Sequence, residues 1–116
     1  MRQTTPGTSL RMFVGEAETF DGKPLYEAVV LKARELGIAG ATVLRGALGY
    51  GHTSHLHTGK ILRLSDDLPV IVELVDTPEA IERFLDQIEP MLDRCAVTLT
   101  PVQRLHREVP ASRPGD

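Results

Sequence analysis

Apolar and polar positions first alternate at residues 10–14, where Leu10, Met12 and Val14 share one side of an extended segment and Arg11 and Phe13 the other. That period of two predicts a strand. Residues 21–24, Asp-Gly-Lys-Pro, form a turn signal that sets proline where a helix can begin, and Leu25, Ala28, Val29, Ala33 and Leu36 then recur at helical spacing until Gly37 ends the run. Two short apolar strands are predicted at 41–44 and 61–64, on either side of a stretch rich in glycine and histidine. Residues 65–69, Ser-Asp-Asp-Leu-Pro, read as a turn or bulge before the apolar run resumes at 70–75, so one long bent strand or two short ones both fit. Thr77, Pro78 and Glu79 open a second helix as N-cap, first residue and first-turn acid; its stripe is Ile81, Phe84, Leu85 and Ile88, and Pro90 kinks or ends it. Residues 97–100 alternate as a last strand, with Pro101 marking an edge or a bulge at its end.

The resulting order, βαββαβ, predicts an α+β ferredoxin-like sandwich, a four-stranded antiparallel sheet with two helices on one face. Ile71 and Val75 point opposite to Val70, Val72 and Leu74, and Phe13 opposite to Leu10, Met12 and Val14, so the sheet is apolar on both faces. Each such side chain contributes about 1.5–3 kcal/mol when buried, which predicts a homo-oligomer packed through its sheets. The organisation expected is a flexible amino terminus at 1–7, one folded domain at 8–107 and a disordered tail at 108–116.

Composition narrows the function classes. The 116 residues, 41% hydrophobic and 25% charged, suit one soluble domain. A net charge of -3 without a basic cluster argues against nucleic acid, and the lack of a long apolar run argues against membrane insertion. The single cysteine, Cys95, excludes an internal disulfide framework and suits a reducing, cytoplasmic setting. It is read as a packing residue before a thiol nucleophile.

The densest chemistry lies between the middle strands. Residues 45–60 hold four glycines and three of the four histidines. Backbone amides at Gly46, Gly49 and Gly51, with Arg45 and Lys60 at the base, suit a small anionic effector. Tyr50, His52, His55 and His57 are candidates for contact with a protein partner; solvated histidines are the plainer reading, and a metal site the least favoured, because no carboxylate or thiol lies in the loop to complete the shell. The glycines do not form a dinucleotide fingerprint, since a strand and not a helix follows, and Gly59-Lys60 lacks the remainder of a phosphate-binding loop. Asp66 and Asp67 read as solvated turn acids, and Glu73, alone in an apolar strand, should sit at a sheet margin or pair with a cation across a subunit boundary. No catalytic set, resident metal or cofactor is predicted.

Several motifs together carry a family resemblance: residues 23–28 (KPLYEA), 40–46 (GATVLRG), 49–51 (GYG), 57–58 (HT) and 65–70 (SDDLPV). In this order, over about residues 8–106, they resemble the PII-like family catalogued as domain of unknown function 190. The resemblance implies a PII-like trimer with regulatory or signalling function, residues 49–58 as the partner loop, and clefts between subunits for small effectors, among them adenine nucleotides. It also offers a membrane transport protein as partner. One departure stands out. Where PII proteins hold phosphates with a second glycine-rich, basic loop, this chain has only Met91-Leu92-Asp93-Arg94-Cys95-Ala96, without glycine, so nucleotide binding in that manner is not carried over. The alternatives are a non-catalytic scaffold without an effector and, last, a small metal-dependent enzyme using His52, His55 and His57.

Overall fold

The computed structural model describes residues 2–49 and 68–107. Its main sheet has the strands β1 (Arg2–Gly15), β4 (Ala41–Arg45), β5 (Pro69–Asp76) and β6 (Ala96–Arg107), in the spatial order β4-β5-β1-β6 with all neighbours antiparallel. The helices α1 (Leu25–Glu35) and α2 (Pro78–Gln87) both contribute to the one core cluster. This is the predicted ferredoxin-like arrangement. The expected strand at 61–64, Asp66, Asp67 and the tail at 108–116 lie outside the described residues.

The period of two sets the core. Leu10, Met12 and Val14 of β1 and Val70, Val72 and Leu74 of β5 are at most 4% exposed and meet Leu25, Val29 and Ala33 of α1 and Ile81, Phe84 and Ile88 from α2 and its C-cap. Leu36, expected in the α1 stripe, is instead the helix C-cap and is exposed. Thr77 caps α2 as predicted, its Oγ1 accepting a hydrogen bond from Ala80 N at 3.1 Å. Past Ile88, Pro90 lies in a 3₁₀ helix (Glu89–Arg94), because its ring and missing N–H do not fit a continuing α-helix.

Three expectations are corrected. Residues 2–7, expected to be flexible, belong to β1, and β6 does not end at Pro101 but runs to Arg107, with Arg2 opposite Arg107 and Thr8 opposite Pro101. An edge strand tolerates proline because half its N–H groups face away from the sheet. Residues 21–24 lead straight into α1 at Leu25, as predicted. They close a small hairpin of β2 (Thr19–Phe20) and β3 (Lys23–Pro24), turned at Asp21 and Gly22, both at positive φ, the primed-turn conformation that suits tight hairpins. Glu73 pairs within its own chain: it stands opposite Arg11 on β1, and Arg11 Nε donates to its Oε2 at 2.8 Å.

Among the described residues, nothing covers the face away from the helices. Phe13 and Leu44 are exposed, and Ile71 and Val75 are half-buried beside the Arg11–Glu73 pair.

Candidate functional site

Pairing places the predicted anion site at one end of the sheet. Val70 of β5 stands between Val14 on β1 and Arg45 on β4, so Arg45, the last residue of β4, lies two strands from Val14 and on the same face. Glu16 follows β1 two residues after Val14, and its carboxylate forms an ion pair with Arg45 across the start of β5. Two backbone bonds close the same corner: Glu16 N to Leu68 O and Gly46 N to Pro69 O, both 2.8 Å.

The glycines here answer to a close approach. A Cβ on Gly46 would stand 2.7 Å from Pro69 Cγ, and one on Gly49 would stand 3.2 Å from the same atom. The structure thus brings Arg45, Gly46 and Gly49 together around Pro69. Tyr50, Gly51, His52, His55, His57 and Lys60 lie outside the described residues.

Glu16 was not singled out by sequence reading. The signal was slight, an acid one residue past a strand; nothing in the pattern joins it to an arginine on a strand that is not its neighbour.

A second charged group adjoins this end. Arg94, at the end of the 3₁₀ helix, donates to Thr19 O at 2.8 Å, lies 3.6 Å from Glu18 Oε1 and sits 5.9 Å over the Phe20 ring. Its guanidinium ties the 3₁₀ helix to the small hairpin. Amides of this segment are also engaged, Met91 N with Ile88 O and Cys95 N with Leu92 O. The segment that lacks glycine is therefore a structural brace, in keeping with the departure noted in the sequence.

Cys95, next in the chain, belongs to the core cluster. Burial first, and the Glu18 carboxylate second, push its thiol up to about 11, so it stays protonated and a poor nucleophile at neutral pH.

A cavity of about 360 Å³ between the end of α1 and the start of α2 is lined by Gly37, Ile38, Asp76, Thr77 and Arg83 among others. It lies at the Asp76 end of β5, about 23 Å along the strand from Pro69 at ~3.3 Å per residue. Asp76 itself accepts hydrogen bonds from Ala39 N and Thr77 N at 2.9 and 2.7 Å, so it serves to join α1 to α2.

The family model DUF190, described as an uncharacterized ACR, matches residues 7–104. A UPF0166 protein of Aquifex aeolicus is 45% identical over 80 residues, 69% of this chain and 76% of that protein. Another UPF0166 protein, from Methanocaldococcus jannaschii, is 38% identical over 79 residues, 68% and 72% of the two chains. Among solved structures, the apo form of CPII, a nitrogen regulatory PII-like protein of Thiomonas intermedia, is similar with a TM-score of 0.64 at 13% identity, over 92% of this chain and all of that one. CPII bound to ADP and bicarbonate also has a TM-score of 0.64, at 16% identity, over 88% and 91% of the two chains. A PII-like signalling protein of Thermus thermophilus has a TM-score of 0.56 at 14% identity, over 89% and 91%. At these identities the structural likeness establishes the fold.

Proposed function

Since the chain belongs to the DUF190 family and has the fold of PII-like proteins, we propose that it is a trimeric PII-like regulatory protein that binds a small anionic effector, with nucleotides in that class, at clefts between subunits. The effector contacts are Arg45, Gly46 and Gly49, joined by Gly51 and Lys60. Residues 49–58, with Tyr50, His52, His55 and His57, meet the partner protein, a membrane transport protein being one candidate. The regulator is not an enzyme and works in the cytoplasm.

The observation that carries this reading is the corner at Pro69, where an exposed arginine and two glycines that closely approach the Pro69 ring stand at the root of the 46–68 connection. Support for assembly comes from the uncovered sheet face, whose apolar residues a second copy would remove from water. Support for a nucleotide comes from the fold likeness to CPII, which binds ADP and bicarbonate.

A scaffold without an effector draws on a different observation, that Arg45 and Arg94 are already paired with Glu16 and Glu18. A thermal-shift screen of adenine nucleotides, inorganic phosphate and bicarbonate separates the two. A ligand at 100 times its dissociation constant adds about 2.7 kcal/mol of stability. An upward shift of several degrees with one of these anions is expected, and no shift with any of them turns the reading to the scaffold.

A further inference from the structure

We propose that Glu16 is an internal competitor for the effector: its carboxylate occupies the Arg45 guanidinium until an incoming oxyanion takes its place. This rests on the effector reading above and adds a residue to it.

The placement follows from the strands. Register brings Val14 of β1 and Arg45 of β4 to the same side, with β5 between them, and Glu16 begins the turn that follows β1 at that end. The bonds from Glu16 N to Leu68 O and from Gly46 N to Pro69 O then fix both backbones at the corner. Glu16 is thus held to the same strand start that Gly46 packs against, and its carboxylate is set by the fold.

The two partners are unequally exposed. The Arg45 side chain is 58% open to solvent, whereas that of Glu16 is 29% open and its Oε2 is shielded from water altogether. An anion arriving from solvent therefore has access to Arg45 but not to the buried oxygen facing it. A guanidinium presents its donors in a planar fork that receives a carboxylate or a phosphate in the same way, so Glu16 already shows the class of group the site accepts. Taking Arg45 away leaves a partly buried carboxylate without its cation, a cost charged against every effector that binds. Glu16 accordingly weakens binding, and it favours ligands that offer more to the corner than one carboxylate does, such as a phosphate chain that also reaches the amide of Gly49.

The test is titration calorimetry of the full chain with ADP and, separately, with inorganic pyrophosphate. Glu16→Gln keeps the side-chain shape without the charge and is expected to bind each probe at least tenfold more tightly than the parent. Glu16→Ala should do the same, which guards against a folding defect in either variant. Arg45→Ala should abolish the gain, so that the double variant Glu16→Gln, Arg45→Ala binds no better than Arg45→Ala alone. If the parent binds ADP and neither Glu16 variant binds it more tightly, the competitor role is overturned and the effector reading stands. A gain that persists without Arg45 also overturns it. If parent and variants alike bind neither probe, the competitor role falls, and the effector reading falls with it when the thermal-shift screen above is also without a shift.

Discussion

The two faces of the sheet are built from alternate residues of the same strands, yet they differ in what surrounds them. On the helix side Leu10, Met12, Val72 and Leu74 are fully buried against Phe84, Val29 and Ile81. On the other side Phe13, Ile71 and Val75 lie beside the Arg11–Glu73 ion pair, and the described residues provide no layer over them. The first face is the pattern of a finished core. The second is apolar with the Arg11–Glu73 ion pair at its centre, the pattern expected of the interface proposed above. One strand pair can therefore serve folding on one side and assembly on the other.

The largest test of this contrast is in the core. Phe84→Ala should cost about 3–5 kcal/mol, because the ring is fully buried and its removal leaves a cavity between α2 and the sheet. Val75→Ala on the opposite face should cost under about 1 kcal/mol in the single chain, since the residue is only half-buried. Denaturant unfolding of both variants measures the gap, and equal losses would erase the distinction between the faces.

Next in size is the effect on assembly. Ile71→Asp places a charge on the uncovered face without touching the core, and under the trimer proposed above it should weaken association at least 100-fold, about 2.7 kcal/mol. Sedimentation reads the loss, and circular dichroism should show an unchanged subunit. A variant that assembles as the parent does would remove this face from the interface.

The covered side also holds a titrating group. Burial, followed by the Glu18 carboxylate, raises the Cys95 thiol from 9.0 to about 11, so the folded chain keeps a proton that the unfolded chain releases. Stability from this source is fully present below about pH 9 and declines as pH rises toward 11, by no more than ~3 kcal/mol. Unfolding at stepped pH should show the decline in the parent and a flatter profile in Cys95→Ala. The same slope in both would mean that Cys95 is not the group involved.

These contrasts also explain what could be read beforehand. Faces were legible because hydrophobic period reports them directly, and α2 was legible because Thr77 and Pro78 announce its start. The extension of β1 through residues 2–7 was not, since Gln3, Thr4, Thr5, Pro6 and Gly7 carry no alternation and are held by backbone pairing with β6. At the candidate site, Arg45 and the glycines were visible as residue types, whereas the Glu16 ion pair depends on the order β4-β5-β1, which a linear pattern does not contain. Glu73 stands out in the sequence as an acid in an apolar strand, which suggests a sheet margin or a cation across a subunit boundary; strand register supplies a nearer partner, Arg11.

That ion pair offers the smallest effect and the finest probe of which face is covered. Arg11 is half exposed and Glu73 less so, with Nε and Oε2 2.8 Å apart. Between exposed groups such a pair contributes about 0.2–1 kcal/mol, because water solvates either partner once the other is gone. Enclosed between copies, water is no longer at hand, and removing one partner costs about 3–5 kcal/mol. A double-mutant cycle with Arg11→Met and Glu73→Gln should give a coupling under about 1 kcal/mol in the dissociated Ile71→Asp chain. In the parent assembly the single change Glu73→Gln should cost several times more. A small effect in both settings would mean that the Arg11–Glu73 face stays wet when the chains associate, and the interface would have to be sought on β4, outermost among the described strands, where Val43 and Leu44 are open to solvent.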